Sequence, residues 1–580
     1  MGQNCIIIEI RPRSGETALP RPTRRIAVGT PHRLRVGGFL STAVLLAAFV
    51  GPSPRSQAAA RQTQAALPSN RPNILLIISD DQTWSTFNRS LMPSVFSQLV
   101  DRGVLFTRGY ANESMCCPSR SEILTGLYGQ HTGVDSNQVP LTRPTIVQAL
   151  HDLGYRTMLA GKYLNSWPCN PRPEFDNWIC AASGGSGYSL VNPTLNVNGV
   201  WQDFTGYTTD ILAGYANDFV ANTPLDQPFF LMYTPPSPHL PANDDRCFGN
   251  PVTPYRPPSF DENTTTDGKP IYMQRGPLSP DEIAAIDQEH QVMTQAVECL
   301  DPSVESVLGS LGDREQNTLV FYVSDNGFLY GEHRRDGKQV PYEESVRVPF
   351  IVRYPPLLPE SQAFASDALV ENVDIAPTIA GLLGIHWGAD GRSLVPILTG
   401  QATRVRKTAL IEFCQGVSYP CDEWGQGAAV PPFWGAEVPQ YAYVEYATGE
   451  KELYDLTQDP YEMTNLDGNP AYAHTETQLA ARLAHLRVPP PTDTTIVTGP
   501  QGVIFTDQAA FTYFSQSRFA TYECRLNLNS SQGTWTPCDG QSVAFSSLQN
   551  GDYTFDVRGT DENGVTDPTP DKRSFTVAVP

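Results

Sequence analysis

NILLIISDD, at residues 73–81, is an apolar run that ends in two aspartates and has the form of a buried strand of a parallel sheet. Two further runs share this form. PFFLMY at 228–233 precedes Ser237-Pro238-His239, and TLVFYV at 318–323 precedes Asp325-Asn326. Helix-like stretches separate the runs, so the pattern predicts an α/β domain with a mostly parallel sheet. Because ligands bind beyond the carboxyl ends of such strands, the polar residues predict a site there.

The chain after this α/β region has the pattern of smaller units. Ala409–Phe413 and Tyr441–Tyr446 are strand-like, and Thr477–Leu486 has the pattern of a closing helix. The last eighty residues alternate strand-like segments with turns, which is typical of a small β-sandwich. The expected organisation is a leader at 1–60, a catalytic core at 61–403, a small α+β subdomain at 404–487, a Pro-rich linker at 488–497 and a β-sandwich at 498–580.

Composition and the leader indicate an exported, acidic protein. The 580 residues include 40 Lys and Arg against 61 Asp and Glu, and the net charge of -21 argues against a nucleic-acid partner. The apolar segment at 37–51 is too short to span a membrane comfortably and resembles the core of a signal peptide. We therefore expect no stable membrane span and a secreted or cell-surface location in a bacterium, reached by Sec or, through Arg24-Arg25, by Tat export.

The eleven cysteines support export, because most of them fall in close pairs that suit an oxidising compartment. Cys116 and Cys117 are adjacent and unsuited to an ordinary bridge. The expected disulfides are Cys169–Cys180, Cys414–Cys421, Cys524–Cys538 and Cys247–Cys299.

The segment CCPSRSEILTG at 116–126 carries the most specific signal in the chain. It resembles the signature of the sulfatase family, C-x-P-S-R followed by L-T-G, in which the first Cys is converted to formylglycine. Asp80-Asp81 and Asp325-Asn326 match the paired metal ligands of that family, and Leu453-Tyr454-Asp455-Leu456 matches its C-terminal subdomain. The resemblance covers roughly residues 71–485 and implies an alkaline-phosphatase-like core.

Two details refine the resemblance. The Cys-Cys doublet and Gly161-Lys162-Tyr163-Leu164-Asn165 look most like the N-acetylglucosamine-6-sulfatase branch and its extracellular heparan relatives. Many arylsulfatases have a histidine where this chain has Leu164, so the departure favours sugar sulfates as substrates. The C-terminal β-sandwich resembles the bacterial immunoglobulin-like modules that are appended to secreted enzymes.

The resemblance implies a metal site built from side-chain oxygens and from the modified Cys116. Four such donors suit a hard cation, Ca²⁺ with Mg²⁺ as the alternative, that polarises a sulfate ester. The hydrate of formylglycine would supply one hydroxyl to attack sulfur and a second to release sulfate. The expected metal ligands are Asp80, Asp81, Cys116 as formylglycine, Asp325 and Asn326.

The remaining site residues are assigned by position in the motif. Arg120 resembles the residue that orients formylglycine, and Lys162 and Lys338 resemble those that bind sulfate oxygens. His239 resembles the general acid that protonates the leaving alcohol, a role that suits an imidazole because its pKa lies near neutrality. The remaining candidates, as substrate contacts, are His131 and His333.

The sequence thus predicts a secreted sulfatase that acts on a sugar 6-O-sulfate or an aryl sulfate. A formylglycine-generating enzyme is the expected maturation partner, and a sulfated carbohydrate or aryl sulfate is the expected substrate. Two alternatives stay open. One is a phosphoester or phosphonate hydrolase, because the same fold and metal site serve phosphoryl transfer. The other is a catalytically silent protein that only binds sulfated glycans.

Overall fold

The computed structural model describes residues 71–182, 189–241, 252–264, 268–413, 430–487, 494–515, 520–529, 531–538, 540–560 and 566–579. The predicted leader, most of the predicted linker, Cys247, Cys414 and Cys421 lie outside these residues. Among the helices that are described, none combines the length and the apolar character needed to cross a membrane.

The first part of the described chain forms one large mixed sheet and a small two-stranded sheet. The large sheet has the strand order β11-β2-β12-β8-β1-β7-β3-β4-β5-β6, with β13 paired to β2, while β9 pairs with β10. The strands are β1 (Asn73–Ser79), β2 (Val104–Tyr110), β3 (Arg156–Gly161), β4 (Asn177–Cys180), β5 (Thr194–Val197), β6 (Val200–Asp203), β7 (Phe229–Thr234), β8 (Thr318–Ser324), β9 (Leu329–Tyr330), β10 (Asp336–Gly337), β11 (Arg347–Val348), β12 (Phe350–Arg353) and β13 (Phe364–Glu371).

The centre of the large sheet is parallel, as predicted, but its flanks are not. Strands β8, β1, β7, β3 and β4 run in one direction, whereas β12 is antiparallel to both β8 and β2. On the other flank, β5 and β6 are joined by Asn198 and Gly199, both with positive φ, a turn that folds a strand back on itself. The expected mostly parallel sheet is therefore corrected to a mixed one. The two-residue turn between β5 and β6 forces antiparallel pairing there, whereas β12 reaches its antiparallel position between β8 and β2 through long connections.

Helices cover both faces of this sheet. Along β1, Ile74, Leu76 and Ile78 belong to one apolar cluster, and Leu75 and Ile77 belong to the cluster on the opposite face. The helices are α1 (Pro93–Gln98), α2 (Cys116–Thr125), α3 (Gly129–Thr132), α4 (Ile146–Asp152), α5 (Thr208–Ala221), α6 (Pro280–Ser310), α7 (Glu343–Val346), α8 (Ile375–Leu383), α9 (Val395–Leu398) and α10 (Ala473–Leu486), with 3-10 turns at Trp84–Thr86, Val100–Arg102, Ile271–Met273, Gly312–Asn317, Glu360–Gln362 and Asn372–Asp374.

Three smaller sheets follow along the chain. An antiparallel sheet packs against α10 and contains β14 (Ala409–Phe413), β15 (Phe433–Val438), β16 (Tyr441–Tyr446) and β17 (Lys451–Asp455). Two all-β sheets, β18-β20-β23 and β19-β25-β24-β21-β22, share one apolar cluster. Their strands are β18 (Thr494–Thr498), β19 (Gly502–Ile504), β20 (Ala509–Ser515), β21 (Thr521–Leu528), β22 (Thr536–Pro537), β23 (Ser542–Phe545), β24 (Gly551–Thr560) and β25 (Asp571–Val577).

The C-terminal sheets pack directly on the α/β core. The Trp387 and Phe514 rings meet edge to face, with centroids 5.6 Å apart, and Arg143 Nη1 donates to the Ser515 carbonyl oxygen at 2.9 Å. Val497 and Phe514 belong to the same buried cluster as residues of the large sheet. The immunoglobulin-like assignment of this region stays a prediction, and its first strand begins at Thr494, four residues before the expected boundary.

Two of the predicted disulfides are confirmed. Cys169 bonds to Cys180, which ends β4, and Cys524 on β21 bonds to Cys538. Cys116 and Cys117 are the free, buried thiols of the described residues.

Candidate active site

The predicted site residues follow the carboxyl ends of neighbouring strands at one edge of the large sheet. Asp80 and Asp81 follow β1, Lys162 follows β3, and Asp325 and Asn326 follow β8. His239 lies five residues beyond β7, and an isolated bridge between Asp80 and Pro238 holds its segment beside the end of β1. The parallel register of β1, β7 and β8 therefore brings these side chains together.

Cys116 begins α2 and points into this group. Its Sγ lies 3.8 Å from Asp80 Oδ1, 3.9 Å from Asp81 Oδ1 and 3.0 Å from Lys338 Nζ. Its side chain is completely enclosed, with 1% of the residue exposed. Burial raises the pKa of the Cys116 thiol to about 12 despite the nearby charges of Lys162 and Lys338. The unmodified thiol is therefore protonated and a poor nucleophile near neutral pH.

Cys117 faces the opposite way from its neighbour. Its Sγ lies 3.3 Å from Ser166 Oγ, and its backbone N–H donates to Asn137 Oδ1 at 2.9 Å. The side chain belongs to the main apolar cluster of the α/β core. Adjacent cysteines thus have different surroundings, one among charged groups and one in the core.

A buried network of charges surrounds Cys116. Lys162 Nζ donates to Asp80 Oδ1 at 2.8 Å and to Oδ2 at 2.9 Å. Arg120 Nε donates to Asp325 Oδ2 at 2.8 Å, and its Nη1 donates to the Lys162 carbonyl oxygen at 3.0 Å. Although burial opposes ionisation, the charges of Lys162 and Arg120 hold the pKa of Asp80 well below its usual value.

Lys338 connects several of the expected metal ligands. Its ammonium donates to Asp81 Oδ1 and lies 3.4 Å from Asn326 Oδ1 as well as 3.0 Å from the Cys116 sulfur. Although burial opposes the charged form, the charge of Asp81 raises the pKa of Lys338, so the ammonium persists. The acceptor atoms of Asp81, Asn326 and Cys116 thus all lie close to the Lys338 ammonium.

The donor chemistry of this group fits a hard divalent cation. Single ligand atoms of Asp80, Asp81, Cys116 and His239 lie within 4.8 Å of one another. Burial and the charge of Asp80 raise the pKa of Asp325, because its carboxylate lies away from water beside a second carboxylate. Carboxylate and amide oxygens are the ligands that Ca²⁺ and Mg²⁺ prefer.

The Asp81 backbone and the exposure of His239 show how the cluster around Cys116 is oriented toward solvent. Asp81 has a φ of 68°, a left-handed conformation that is uncommon for a residue other than glycine and is typical of functional sites. The His239 side chain is 14% exposed and its Nε2 lies 3.6 Å from Asp81 Oδ2, whereas the Asp81 side chain is 1% exposed. His239 therefore lies at the mouth of the cluster and the carboxylates lie at its base.

The two further predicted histidines are buried in other networks. His131 Nδ1 lies 2.7 Å from Asp390 Oδ2, and His333 Nδ1 lies 2.5 Å from Glu262 Oε1. Both residues are almost completely enclosed. Their role as substrate contacts stays a prediction.

Glu289 and Asp336 form a buried acidic pair near the site that the sequence analysis missed. Burial and a hydrogen bond to Asp336 raise the pKa of Glu289 to about 9, with a contribution from the charge of Asp81. Glu289 is the tenth residue of α6, and Asp336 lies on β10, two residues before Lys338. A single carboxylate on an amphipathic helix has no sequence signature, and the one signal that could have indicated this pair is the position of Asp336 two residues before Lys338.

Two family profiles and several known proteins match the sequence of this chain. The profile of the family described as Sulfatase matches residues 72–385, and that of N-sulphoglucosamine sulphohydrolase, C-terminal, matches residues 331–489. The N-acetylglucosamine-6-sulfatase of Homo sapiens is 28% identical over 466 residues, which cover 69% of this chain and 82% of that protein. A putative extracellular sulfatase Sulf-1 homolog of Caenorhabditis elegans is 32% identical over 56% of this chain and 49% of its own length.

Solved structures agree on the fold. A protein in complex with its substrate D-glucosamine-2-N,6-O-disulfate has a TM-score of 0.59 at 24% identity and covers 72% of this chain and 97% of its own. The phosphonate monoester hydrolase of Agrobacterium radiobacter has a TM-score of 0.54 at 22% identity, covering 72% and 95%. The family profile spans more than half of the chain, and the chain therefore belongs to the sulfatase family, whose members hydrolyse sulfate esters.

Proposed function

We propose that this sulfatase acts through a formylglycine made from Cys116 and through a divalent cation held by Asp80, Asp81, Asp325 and Asn326. The observation that carries the proposal is the position of Cys116, at the start of α2 and within 4 Å of Asp80, Asp81 and Lys338. A buried thiol with a raised pKa has no evident use there, whereas an oxygen nucleophile at the same position would face the carboxylates and ammonium groups that a sulfate ester requires.

The two implied groups supply distinct chemistry. The hydrated aldehyde supplies a nucleophilic hydroxyl and a second hydroxyl for the release of sulfate. Asp80, Asp81, Asp325 and Asn326 would hold the cation, which would supply positive charge to polarise the sulfate and favour the ionised nucleophile. Ca²⁺ is the proposed ion because the donors are mainly carboxylate oxygens in a buried site.

The cationic side chains position the sulfate ester. Lys162 and Lys338 present point charges to sulfate oxygens, and burial makes each charge count more than it would in water. Arg120 spans Asp325 and the Lys162 backbone, so it fixes the distance between the two sides of the pocket. The enclosed base also excludes bulk water from the reacting sulfur.

His239 is the proposed general acid. Its Nδ1 hydrogen-bonds to the Leu240 carbonyl oxygen, so Nε2 is the atom that exchanges a proton with the substrate. Nε2 lies near the mouth of the pocket, beside Asp81, where a leaving alcohol would depart. In this role His239 donates the Nε2 proton to the ester oxygen as the sulfur–oxygen bond breaks.

The proposed substrate is a sugar 6-O-sulfate rather than a simple aryl sulfate. Several of the relatives are named N-acetylglucosamine-6-sulfatase, and one related structure holds a 6-O-sulfated glucosamine. Leu164, where many arylsulfatases have a histidine, is buried with 3% of its surface exposed. Secretion is proposed from the leader and from the two disulfides, which persist in oxidising compartments.

The direct test is mass spectrometry of the tryptic peptide 109–120, combined with an assay of sulfate release. Protein from a host with a formylglycine-generating enzyme should carry the aldehyde at position 116 and an unmodified Cys117. Cys116→Ala should abolish sulfate release, and Cys117→Ala, its matched control one residue away, should keep most of it. Two unmodified thiols in active protein, or an active Cys116→Ala variant, would refute the mechanism.

The same protein distinguishes the phosphonate alternative, which the fold alone leaves open. Glucosamine 6-sulfate, an aryl sulfate and an aryl phosphonate are compared at equal concentration. The proposal expects the highest kcat/KM with the sugar sulfate. A preference for the phosphonate would instead assign the site to that second activity.

A further inference from the structure

A second group of metal-ligating side chains shares no residue with the Cys116 site. His333 lies in the loop between β9 and β10, Glu344 in the first turn of α7, and Glu462 in the segment after β17. One potential ligand atom from each lies within 4.8 Å of the other two. We refer to His333, Glu344 and Glu462 as the His333 cluster.

One nitrogen of the His333 ring has a hydrogen-bond partner, and the other has none in the described part of the chain. The side chain is fully buried and stacks on the Tyr342 ring at a centroid distance of 4.0 Å. Nδ1 lies 2.5 Å from Glu262 Oε1, whereas Nε2 has no hydrogen-bond partner in the described part of the chain and lies 3.8 Å from Glu344 Oε2. A histidine whose Nδ1–H is held by a carboxylate, with Nε2 left as an acceptor, is the typical geometry of a metal ligand.

The charged side chains around the His333 cluster also favour a bound cation. Lys269 lies 3.5 Å from Glu262 Oε1 and hydrogen-bonds to the Glu462 backbone carbonyl, not to its carboxylate. The acidic side chains of Glu262, Glu344 and Glu462 are gathered in this buried space with the Lys269 ammonium, and a cation among them would offset their mutual repulsion.

We propose that the His333 cluster binds a divalent cation of the zinc type through His333 Nε2 and the carboxylates of Glu344 and Glu462. One imidazole and two carboxylates suit zinc better than Ca²⁺, which prefers oxygen ligands alone. With metal–ligand distances of about 2.1 Å, a tetrahedral ion separates its ligands by about 3.4 Å. The observed separation of 3.8 Å between His333 and Glu344 needs only a small adjustment.

The position of the cluster gives this ion a structural role. His333 lies five residues before Lys338 on the same connection, while Glu462 belongs to the C-terminal part of the chain. Glu344 lies on α7, whose backbone carbonyl at the same residue accepts a hydrogen bond from Thr83 near the site aspartates. An ion at the cluster would join these segments and hold the loop that presents Lys338.

Metal analysis of the full-length protein tests this directly. Protein stripped with a chelator is saturated with Ca²⁺, dialysed against zinc chloride and then against buffer, and its zinc is counted by mass spectrometry. The expected result is one equivalent of zinc in the wild type, and an upward shift of Tm on zinc addition. His333→Gln and Glu344→Gln should each lose at least four-fifths of the zinc and the Tm shift.

Two controls separate this site from the rest of the protein. His290→Gln removes another buried histidine, one that stacks on Tyr255, and should retain the zinc. Asp81→Asn alters the catalytic cluster and should also retain it, so a failed sulfatase mechanism does not affect this test. Absence of tightly held zinc in the wild type, or full retention in His333→Gln, would overturn the proposal.

X-ray absorption at the zinc edge of the wild type removes any dependence on variants that fail to fold. The protein comes from a host without formylglycine-generating activity, so Cys116 keeps its sulfur. A first shell of one imidazole nitrogen with oxygens, unchanged in His239→Gln protein, supports the His333 cluster. Sulfur in the first shell would place the zinc at Cys116 and overturn the assignment.

Discussion

Replacing Arg120 by lysine isolates the geometry of the guanidinium from its charge. Arg120 is fully buried and makes two hydrogen bonds at once, to Asp325 Oδ2 and to the Lys162 carbonyl oxygen, while Nη2 lies 3.7 Å from Asp80 Oδ1. A lysine ammonium is a point charge on a longer flexible stem and cannot span the same groups in a plane. Arg120→Lys therefore keeps the charge but loses one side of this bridge.

The magnitude follows from the lost contact. A hydrogen bond to a charged group contributes about 1.5–3 kcal/mol, so we expect a loss of about 2 kcal/mol in the positioning of Asp325 and Lys162. If the whole of this free energy is lost from the stabilisation of the transition state, kcat/KM decreases about 30-fold. KM should change less than kcat, because the affected groups are proposed to act on the reacting sulfate rather than on the rest of the sugar.

The assay is the initial rate of sulfate release from glucosamine 6-sulfate by fully matured protein, with the aldehyde content measured in each variant. Arg89→Lys is the matched control, because Arg89 forms an exposed pair with Asp101 and its replacement should leave the rate unchanged. Near-ultraviolet circular dichroism checks that both variants are folded. An Arg120→Lys rate within threefold of wild type would refute the bridging role.

Three further predictions concern packing, protonation and metal. Phe514→Ala should destabilise the protein by about 3–5 kcal/mol and lower the thermal midpoint of sulfatase activity, because Phe514 packs on Trp387; an unchanged activity midpoint would contradict this. Glu289, with a pKa raised from 4.5 to about 9, binds more protons in the folded state, so Tm should fall from pH 5 to pH 9 and Glu289→Gln should reduce that fall; equal Tm profiles would contradict it. Chelation should abolish turnover, and Ca²⁺ should restore it better than Mg²⁺; full activity after chelation would exclude the metal.

Local patterns predicted the strands well. The first strand was expected and found at Asn73–Ser79, and those at Ala409–Phe413 and Tyr441–Tyr446 also match. The closing helix begins at Ala473 rather than Thr477, because its first turn is polar and exposed and carries little periodic signal. Runs of apolar residues thus predict the elements that become buried.

Contacts between distant segments were harder to predict. The Cys116 site was found because each contributor follows a strand or belongs to a motif. The His333 cluster joins three segments that no strand end brings together, and only folding places them within 4.8 Å. The antiparallel strand β12 likewise pairs with a strand that is distant in the sequence, and no apolar pattern indicates its direction.

The shared core of the α/β region and the C-terminal sheets has a consequence for the order of events during synthesis. Val497 and Phe514 complete a cluster that also contains Cys117. A ribosome releases these residues long after position 116 has emerged, so the core around α2 stays incomplete until they have emerged as well. Because Cys116 is enclosed in the folded protein, the proposed formylglycine-generating enzyme would have access to it mainly during that interval. On the proposed mechanism, the late arrival of Val497 and Phe514 would therefore set the time available for maturation.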